Sequence, residues 1–186
     1  MLFYAKSTGG FYDSAIHGKN IPLDSMEESN WSMTHAQLMA AQATGKAITS
    51  DADGKPIAVD PVSLMTLSEI QAAQKAKVDA LCAAALSAGF DSSALGGAHS
   101  YPSEDTDQRN LQNAVSAAAI ASSTWTTPIW CASNDAWSFA PHTAAQVQQV
   151  NADWLAYRVA AQQKYAGLIA KINAATSVEE VQAIDW

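Results

Sequence analysis

A chain of 186 residues is long enough for one large domain or two small ones, and for a buried hydrophobic core. Hydrophobic residues make up 48% of it and charged residues only 15%. The formal net charge is −8 and the ten Lys and Arg residues are scattered. A basic stripe is therefore missing, which argues against binding to nucleic acid or to an anionic membrane surface.

The sequence predicts neither a signal peptide nor a membrane span. Residues 1–6 lack a basic start followed by a long apolar run. Residues 110–134 carry no charge, but Gln, Asn, Ser, Thr and Pro interrupt them, so they do not form an apolar helix of about 20 residues. Cys82 and Cys131 are far apart, which indicates a reducing cytosol and leaves a single disulfide open.

The first sixty residues predict a small module of two β-hairpins and one helix. Aromatic-rich runs at 2–6 and 11–16 flank a short loop whose glycines allow a tight reversal. Thr34 and Gln37 have the spacing of a capping box, and the helix that they begin is expected to stop at Gly45. A second hairpin is expected around Asp53 and Gly54.

The remaining chain predicts a linker helix and a mainly helical module. Capping boxes begin at Thr66, Thr143 and Ser177, each directly before an apolar repeat at helical spacing. Helices are expected at residues 67–89, 105–121, 144–174 and 177–184, and a short strand at 98–101. Residues 125–132 and 137–140 predict a third, Trp-rich hairpin that places Trp130 opposite Trp137.

The expected fold class is therefore α+β, with a modular organisation. Residues 1–62 form the predicted N-terminal module, residues 63–72 the linker and helix start, and residues 73–186 the helical C-terminal module with its hairpin. No internal repeat of solenoid length is present.

No motif in the sequence predicts catalysis, a cofactor or a metal site. The four histidines are far apart, and neither HExxH nor a cysteine pair at zinc spacing occurs. The carboxylate pairs at 105/107 and 179/180 lie in first helical turns, where the helix dipole accounts for them. Cys82 lies at helical spacing with Leu81 and Ala85, which favours a buried small hydrophobe over a nucleophile. The protein is expected not to be an enzyme.

The aromatic residues are the most informative part of the sequence. Five of the six tryptophans lie in the last third of the chain, in or beside the uncharged region. One interpretation is a core between the third hairpin and the long helix. The other is a protein-binding face, because Trp and Tyr contribute disproportionately to interface energy. Both interpretations can hold for different residues, and the first hairpin leaves the same choice between core and recognition surface.

Two groups of motifs resemble the tail fibre assembly proteins of tailed bacteriophages. The first group covers about the first third of the chain: Tyr4, Gly9-Gly10-Phe11-Tyr12-Asp13, Ile16-His17-Gly18, Ile21-Pro22, Asp24, Gly45-Lys46, Asp53-Gly54-Lys55-Pro56 and Val59-Asp60-Pro61. The second group, from about residue 73 onward, resembles a C-terminal module of some tail fibre assembly and other tail proteins. It comprises the Ala-rich helix, Asp107-Gln108-Arg109-Asn110-Leu111, the Trp-containing hairpin and the ending at Trp186.

The resemblance implies a chaperone for folding and trimerisation of a phage tail fibre, binding the distal, C-terminal tip of the fibre polypeptide in the host bacterial cytoplasm. An alternative is a virion component that stays at the fibre tip and contributes to receptor binding. The expected assembly is a homo-oligomer or a complex with a fibre trimer, without nucleic acid or membrane. The expected partner-binding residues are Phe3, Tyr4, Phe11, Tyr12, Trp130, Trp137 and Trp186.

Overall fold

The computed structural model describes all residues, Met1–Trp186, and divides into two compact units. The N-terminal unit is Met1–Thr66 and the C-terminal unit is Leu67–Trp186. The division falls within the interval 63–72 that the sequence assigns to a linker. Helices and small antiparallel sheets occur in both units, which confirms the α+β class.

A three-stranded sheet and a hairpin form the β-structure of the N-terminal unit. The sheet has the order β2-β1-β3, with β1 Leu2–Ala5, β2 Gly10–Asp13 and β3 Ser25–Glu27. The strands β4 Ala47–Ser50 and β5 Pro56–Val59 pair as the predicted second hairpin. Strand β3 is not predicted from the sequence. Its three residues become a strand only by pairing with β1.

Two helices complete the N-terminal unit: α1 Ser14–His17 and α2 His35–Ala43. The predicted capping box of α2 is confirmed. The side chain of Thr34 accepts the amide of Gln37, and Gln37 Oε1 accepts the amide of Thr34 at 2.9 Å. Leu38 is the fully buried residue of α2.

Four helices form most of the C-terminal unit: α3 Leu67–Ser87, α4 Asp105–Ala118, α5 Ala144–Ala174 and α6 Val178–Gln182. The long helices α3 and α5 pack together, and polar side chains fix their register. Tyr157 Oη donates to the carbonyl of Ala85 at 2.8 Å, and Gln71 Nε2 donates to the carbonyl of Ile172 at 2.9 Å. The Thr143 capping box of α5 is confirmed.

A four-stranded antiparallel sheet packs on these helices with one face only. Its order is β6-β7-β8-β9, with β6 Phe90–Ser92, β7 His99–Tyr101, β8 Thr126–Ser133 and β9 Ala136–Thr143. The inner face meets α4 and α5 in a core of buried residues: Phe90, Tyr101, Leu111, Cys131, Val150 and Trp154. None of the helices combines the length and the hydropathy that a membrane-spanning segment requires.

The predicted pairing of Trp130 with Trp137 is wrong by two residues. Asn134 and Asp135, both at positive φ, form the two-residue turn, so Ser133 pairs with Ala136. Counting outward, Trp130 lies opposite Phe139 and Trp137 lies opposite Ala132. The two tryptophans are diagonal neighbours on one face, and their rings stack with centroids 6.1 Å apart.

Candidate protein-binding surfaces

One face of the first hairpin is covered by neighbouring residues, and the aromatic side chains on that face are Tyr4 and Phe11. Tyr4 and Phe11 are directly opposite in the sheet, with ring centroids 5.2 Å apart, and Trp31 lies 5.5 Å from Phe11. Tyr4 is 1% exposed, and its hydroxyl forms a 3.1 Å hydrogen bond with Ser50 Oγ. A partner cannot contact the Tyr4 ring without opening the sheet, so this face is the core of the N-terminal unit.

Phe3 and Tyr12 lie directly opposite each other on the other face of the same sheet. Both are half-buried. Tyr12 Oη donates to Thr8 Oγ1 at 2.9 Å, and its ring lies 5.2 Å from that of His17. Among the four expected binding residues of this hairpin, these two are turned away from the Tyr4 core.

The outer face of the third hairpin carries three exposed aromatic side chains. We call Trp130, Trp137 and Phe139 the outer aromatic face; their exposed fractions are 40%, 46% and 68%. Phe139 tilts against Trp130 with centroids 4.8 Å apart. The strand period of two explains their direction, because the alternate positions Cys131 and His142 are buried against the helices. A group of large, partly exposed apolar side chains of this kind is typical of an interaction surface.

A hydrogen-bonded layer lies on the inner side of the same hairpin. His142 Nδ1 donates to the carbonyl of Ala140 at 2.8 Å, so Nε2 is the acceptor for the hydroxyl of Tyr101 at 2.7 Å. Burial lowers the pKa of His142 and raises that of Cys131, and burial likewise raises the pKa of Tyr101. At neutral pH the imidazole is therefore uncharged, and this hydrogen-bonded layer lies on the side of the hairpin opposite the outer aromatic face.

A cleft of about 380 Å³ opens beside the outer aromatic face, between β8 and α4. Trp130 and Phe139 form part of its rim, and Trp125 contributes a second indole. The face and the cleft are thus one continuous surface of the C-terminal unit.

The last residue is held in place by neighbouring charges. Lys164 Nζ lies 4.6 Å from the centre of the Trp186 ring, and Lys77 Nζ forms a 3.2 Å ion pair with Asp185. Trp186 is half-buried, so a partner can reach only part of the ring. It belongs to the packing of the C-terminal segment on α3 and α5 as much as to the surface.

No group of three or more His, Cys, Asp or Glu side chains lies close enough to hold a metal ion. Cys82 and Cys131 are both free and buried. Burial, together with the charge of Asp79, raises the pKa of the Cys82 thiol. Burial of this kind keeps a thiol protonated and chemically inert.

A family model described as "Domain of unknown function (DUF4376)" matches residues 69–185, more than half of the chain. The chain belongs to the DUF4376 family. This DUF4376 protein is also 43% identical over 60 residues to the "Probable tail fiber assembly protein" of Shigella phage SfV. The match covers 31% of this chain and 34% of that relative, so the chain spans about a third of the curated relative's length. The resemblance to tail fibre assembly proteins is thereby confirmed. No solved structure matches the chain.

Phe139 is the residue of the DUF4376 surface that the sequence prediction missed. The signal is present, because the two-residue turn at Asn134 and Asp135 fixes which residues oppose one another. Counting outward on each strand from this turn pairs Trp130 with Phe139 and groups three aromatic side chains on one face.

Proposed function

We propose that this DUF4376 protein is a non-enzymatic chaperone that binds the distal end of a phage tail fibre and assists its folding, trimerisation and assembly. The similarity to a probable tail fiber assembly protein supports the class. The outer aromatic face is the observation that carries the proposal, because stacked and uncovered indole and phenyl rings have the composition of binding hot spots. The site of action in this proposal is the host bacterial cytoplasm.

The physical need for such a protein follows from fibre folding. A trimer rich in non-local β-pairing folds slowly and exposes unpaired strand edges and apolar side chains before it closes. Exposed edges pair with other chains and aggregate. A binder that covers the apolar tip of each polypeptide lowers the concentration of these species while the three chains find their register.

Phe3 and Tyr12 supply the proposed contact of the N-terminal unit. Their half-buried rings face away from the Tyr4 core and leave an apolar pair within reach of a partner. Trp186 is a third, smaller contact, because Lys164 already lies over one face of its ring. Tyr4 is buried and supports the sheet from beneath, and the half-buried Phe11, packed between Tyr4 and Trp31, contributes its exposed part to the contact.

Co-expression with a phage tail fibre polypeptide tests the proposal. The yield of soluble fibre trimer, measured by size-exclusion chromatography with light scattering, is expected to rise several-fold. The variant Trp130→Ala/Trp137→Ala/Phe139→Ala should lose this effect and weaken fibre binding about 30-fold or more, as hot-spot truncation does. The matched control, Leu155→Ala/Val159→Ala, removes exposed apolar side chains from α5 of the same unit and should retain binding.

An equal trimer yield without this protein would disprove the chaperone function. Mass spectrometry of purified virions separates a transient chaperone from a component that stays at the fibre tip. Absence from particles is the expected result. Light scattering of the isolated complex gives the number of copies bound to each fibre trimer.

A further inference from the structure

The cleft beside the outer aromatic face has a strand as one wall and a helix as the other. β8 contributes Thr127 to Trp130, and α4 contributes Asp107, Asn110 and Leu111. The volume of about 380 Å³ is within the range of ligand sites and holds a few amino-acid residues.

The direction of the backbone groups of β8 follows from the turn of the hairpin. With a two-residue turn, Ser133 and Ala136 form a hydrogen-bonded pair, and such pairs alternate with non-hydrogen-bonded ones along the strands. Trp130 and Phe139 therefore form a non-hydrogen-bonded pair. The backbone N–H and C=O of Trp130 point away from β9 and into the cleft.

The two prolines of the hairpin agree with this pattern. Pro128 lies opposite Pro141, which by the same alternation is a non-hydrogen-bonded pair. Proline lacks an N–H, so a sheet accepts it where that N–H would point away from the neighbouring strand. Both prolines fit β8 and β9 without the loss of a bond between them.

Strand β7 covers only the end of β8. The pairing of β7 with β8 consists of Ser100 and Ala132, and the next residue toward the cleft that could pair is Pro102. Proline cannot donate to the Trp130 carbonyl, so the ladder stops there. The Trp130 amide donates to no backbone carbonyl. A strand edge about five residues long is thus open along the cleft, with carbonyls at 126, 128 and 130 and N–H donors at 126 and 130, because Pro128 has no N–H.

We propose that this cleft binds an extended segment of the fibre polypeptide as an added β-strand on β8, with α4 as the second wall. This inference rests on the proposed function and specifies its site. Open backbone groups at spacings of a strand are satisfied by another extended backbone, and the helix wall then selects the side chains. The open edge, residues 126–130, is about 16 Å long at strand rise, which fits four or five residues of the partner.

The lining defines the chemistry of the segment. Side chains of one parity meet the apolar Leu111 and Ile129 on the inner side, those of the other parity meet Trp130, and Asn110 and Asn113 offer amide groups at the helix side. Asp107 is the charged residue of the lining, and the protein carries a net charge of −8. The bound segment is therefore apolar at alternate positions and free of acidic side chains.

Amide hydrogen exchange followed by NMR tests the inference on the full chain, with the C-terminal part of the fibre polypeptide as the probe. Free, the Trp130 amide should exchange rapidly because it has no backbone acceptor. In the complex its exchange should slow at least about tenfold. The Cys131 amide is the internal control, since by the same alternation it donates to β9 in both states.

The outcomes distinguish this inference from the proposed function. Failure of the fibre polypeptide to bind at all contradicts the proposed function. Binding with an unchanged Trp130 amide, or with protection at Trp137 and Phe139 on the outer edge of β9, overturns the cleft site alone. Protection of Trp130 in the protein without the fibre, with a doubled mass, would mean that a second copy occupies the cleft and also overturns it.

A filling variant gives a second, independent readout. Ala114 lines the cleft from α4, and Ala114→Phe places a ring where the added strand would lie. Fibre binding should weaken at least about tenfold while the outer aromatic face is unchanged. The matched control Ala160→Phe puts the same ring on the exposed side of α5 and should bind normally. Equal affinity of the two variants would contradict the cleft site.

Discussion

The two aromatic hairpins of this protein have similar compositions but opposite arrangements. In the N-terminal unit, Tyr4 and Phe11 face inward, and Trp31 and His35 cover them. In the C-terminal unit, the inward positions of the third hairpin hold Cys131 and His142, and its aromatic side chains face solvent. The difference lies in which face a neighbouring element covers.

This comparison shows that aromatic content alone does not distinguish a core from a recognition surface. A sheet of three short strands has little other apolar area, so its large rings must supply the core. The C-terminal unit already has a core of α4, α5 and the inner sheet face, centred on Trp154. Its outer aromatic face is not needed for that core and is available for a partner.

The largest expected contrast is the effect of truncation on stability. Tyr4→Ala should lower the free energy of unfolding of the N-terminal unit by about 3 kcal/mol or more, as for other large core residues. Phe139→Ala should change that of the C-terminal unit by less than about 1 kcal/mol. Urea titrations followed by NMR report each unit by its own amide signals. Similar losses for the two variants would contradict the comparison.

A second prediction concerns the support beneath the outer aromatic face. Gly89 has φ +99, and a Cβ there would lie 2.8 Å from the carbonyl oxygen of Tyr101. Gly89→Ala should therefore cost about 2 kcal/mol of stability in the C-terminal unit. Gly167→Ala is the control, because a Cβ added to this residue of α5 would meet no atom within 4 Å. This control should gain about 0.5–1 kcal/mol. Urea denaturation measures both, and a neutral Gly89→Ala would show that β6 and β7 can separate at no cost.

The helices could be predicted from the sequence because their signals are local. Thr34 with Gln37, and Thr143 with Gln146, identify helix starts within four residues of chain, and both boxes form. Strand β3 is not predictable in this way. Its residues Ser25 to Glu27 have no strand pattern, and only pairing with β1 makes them a strand.

The geometry of the candidate surface could be predicted only in part. The sequence singles out the tryptophans of the third hairpin, but the register that it predicts is wrong and omits Phe139. Which side of the hairpin faces solvent depends on contacts with α5, which are remote in sequence and give no local signal. The open edge of β8 is also non-local, since it depends on where Pro102 ends the pairing with β7.

The turn of the third hairpin offers a smaller effect of opposite sign. Asn134 and Asp135 have φ of 48° and 63°, which only glycine adopts without cost. Asp135→Gly should raise the free energy of unfolding of the C-terminal unit by about 0.5–1 kcal/mol, because type I′ turns prefer glycine there. Ser133→Gly, in the ladder beside the turn, should lower it. Thermal unfolding compares the two variants. Destabilisation by Asp135→Gly would contradict this and would mean that the Asp135 side chain stabilises the turn by more than its positive φ costs.

The smallest expected effect is a pH dependence that arises on the inner side of the same hairpin. His142 is buried, faces the Tyr101 hydroxyl and the Ala140 carbonyl, and interacts electrostatically with His99; the Cys131 thiol contacts the same Tyr101 hydroxyl. Burial lowers its pKa below the ordinary value of 6.5, so just below pH 6.5 the unfolded chain binds a proton that the folded chain does not. The free energy of unfolding is therefore fully retained above about pH 6.5 and falls as the pH decreases from there to the folded pKa.

His142→Gln keeps a donor and an acceptor but cannot titrate. Urea titrations between about pH 7.5 and 5 should show a shallower decline for this variant than for the wild type. An equal decline would mean that other groups control the pH dependence of the C-terminal unit.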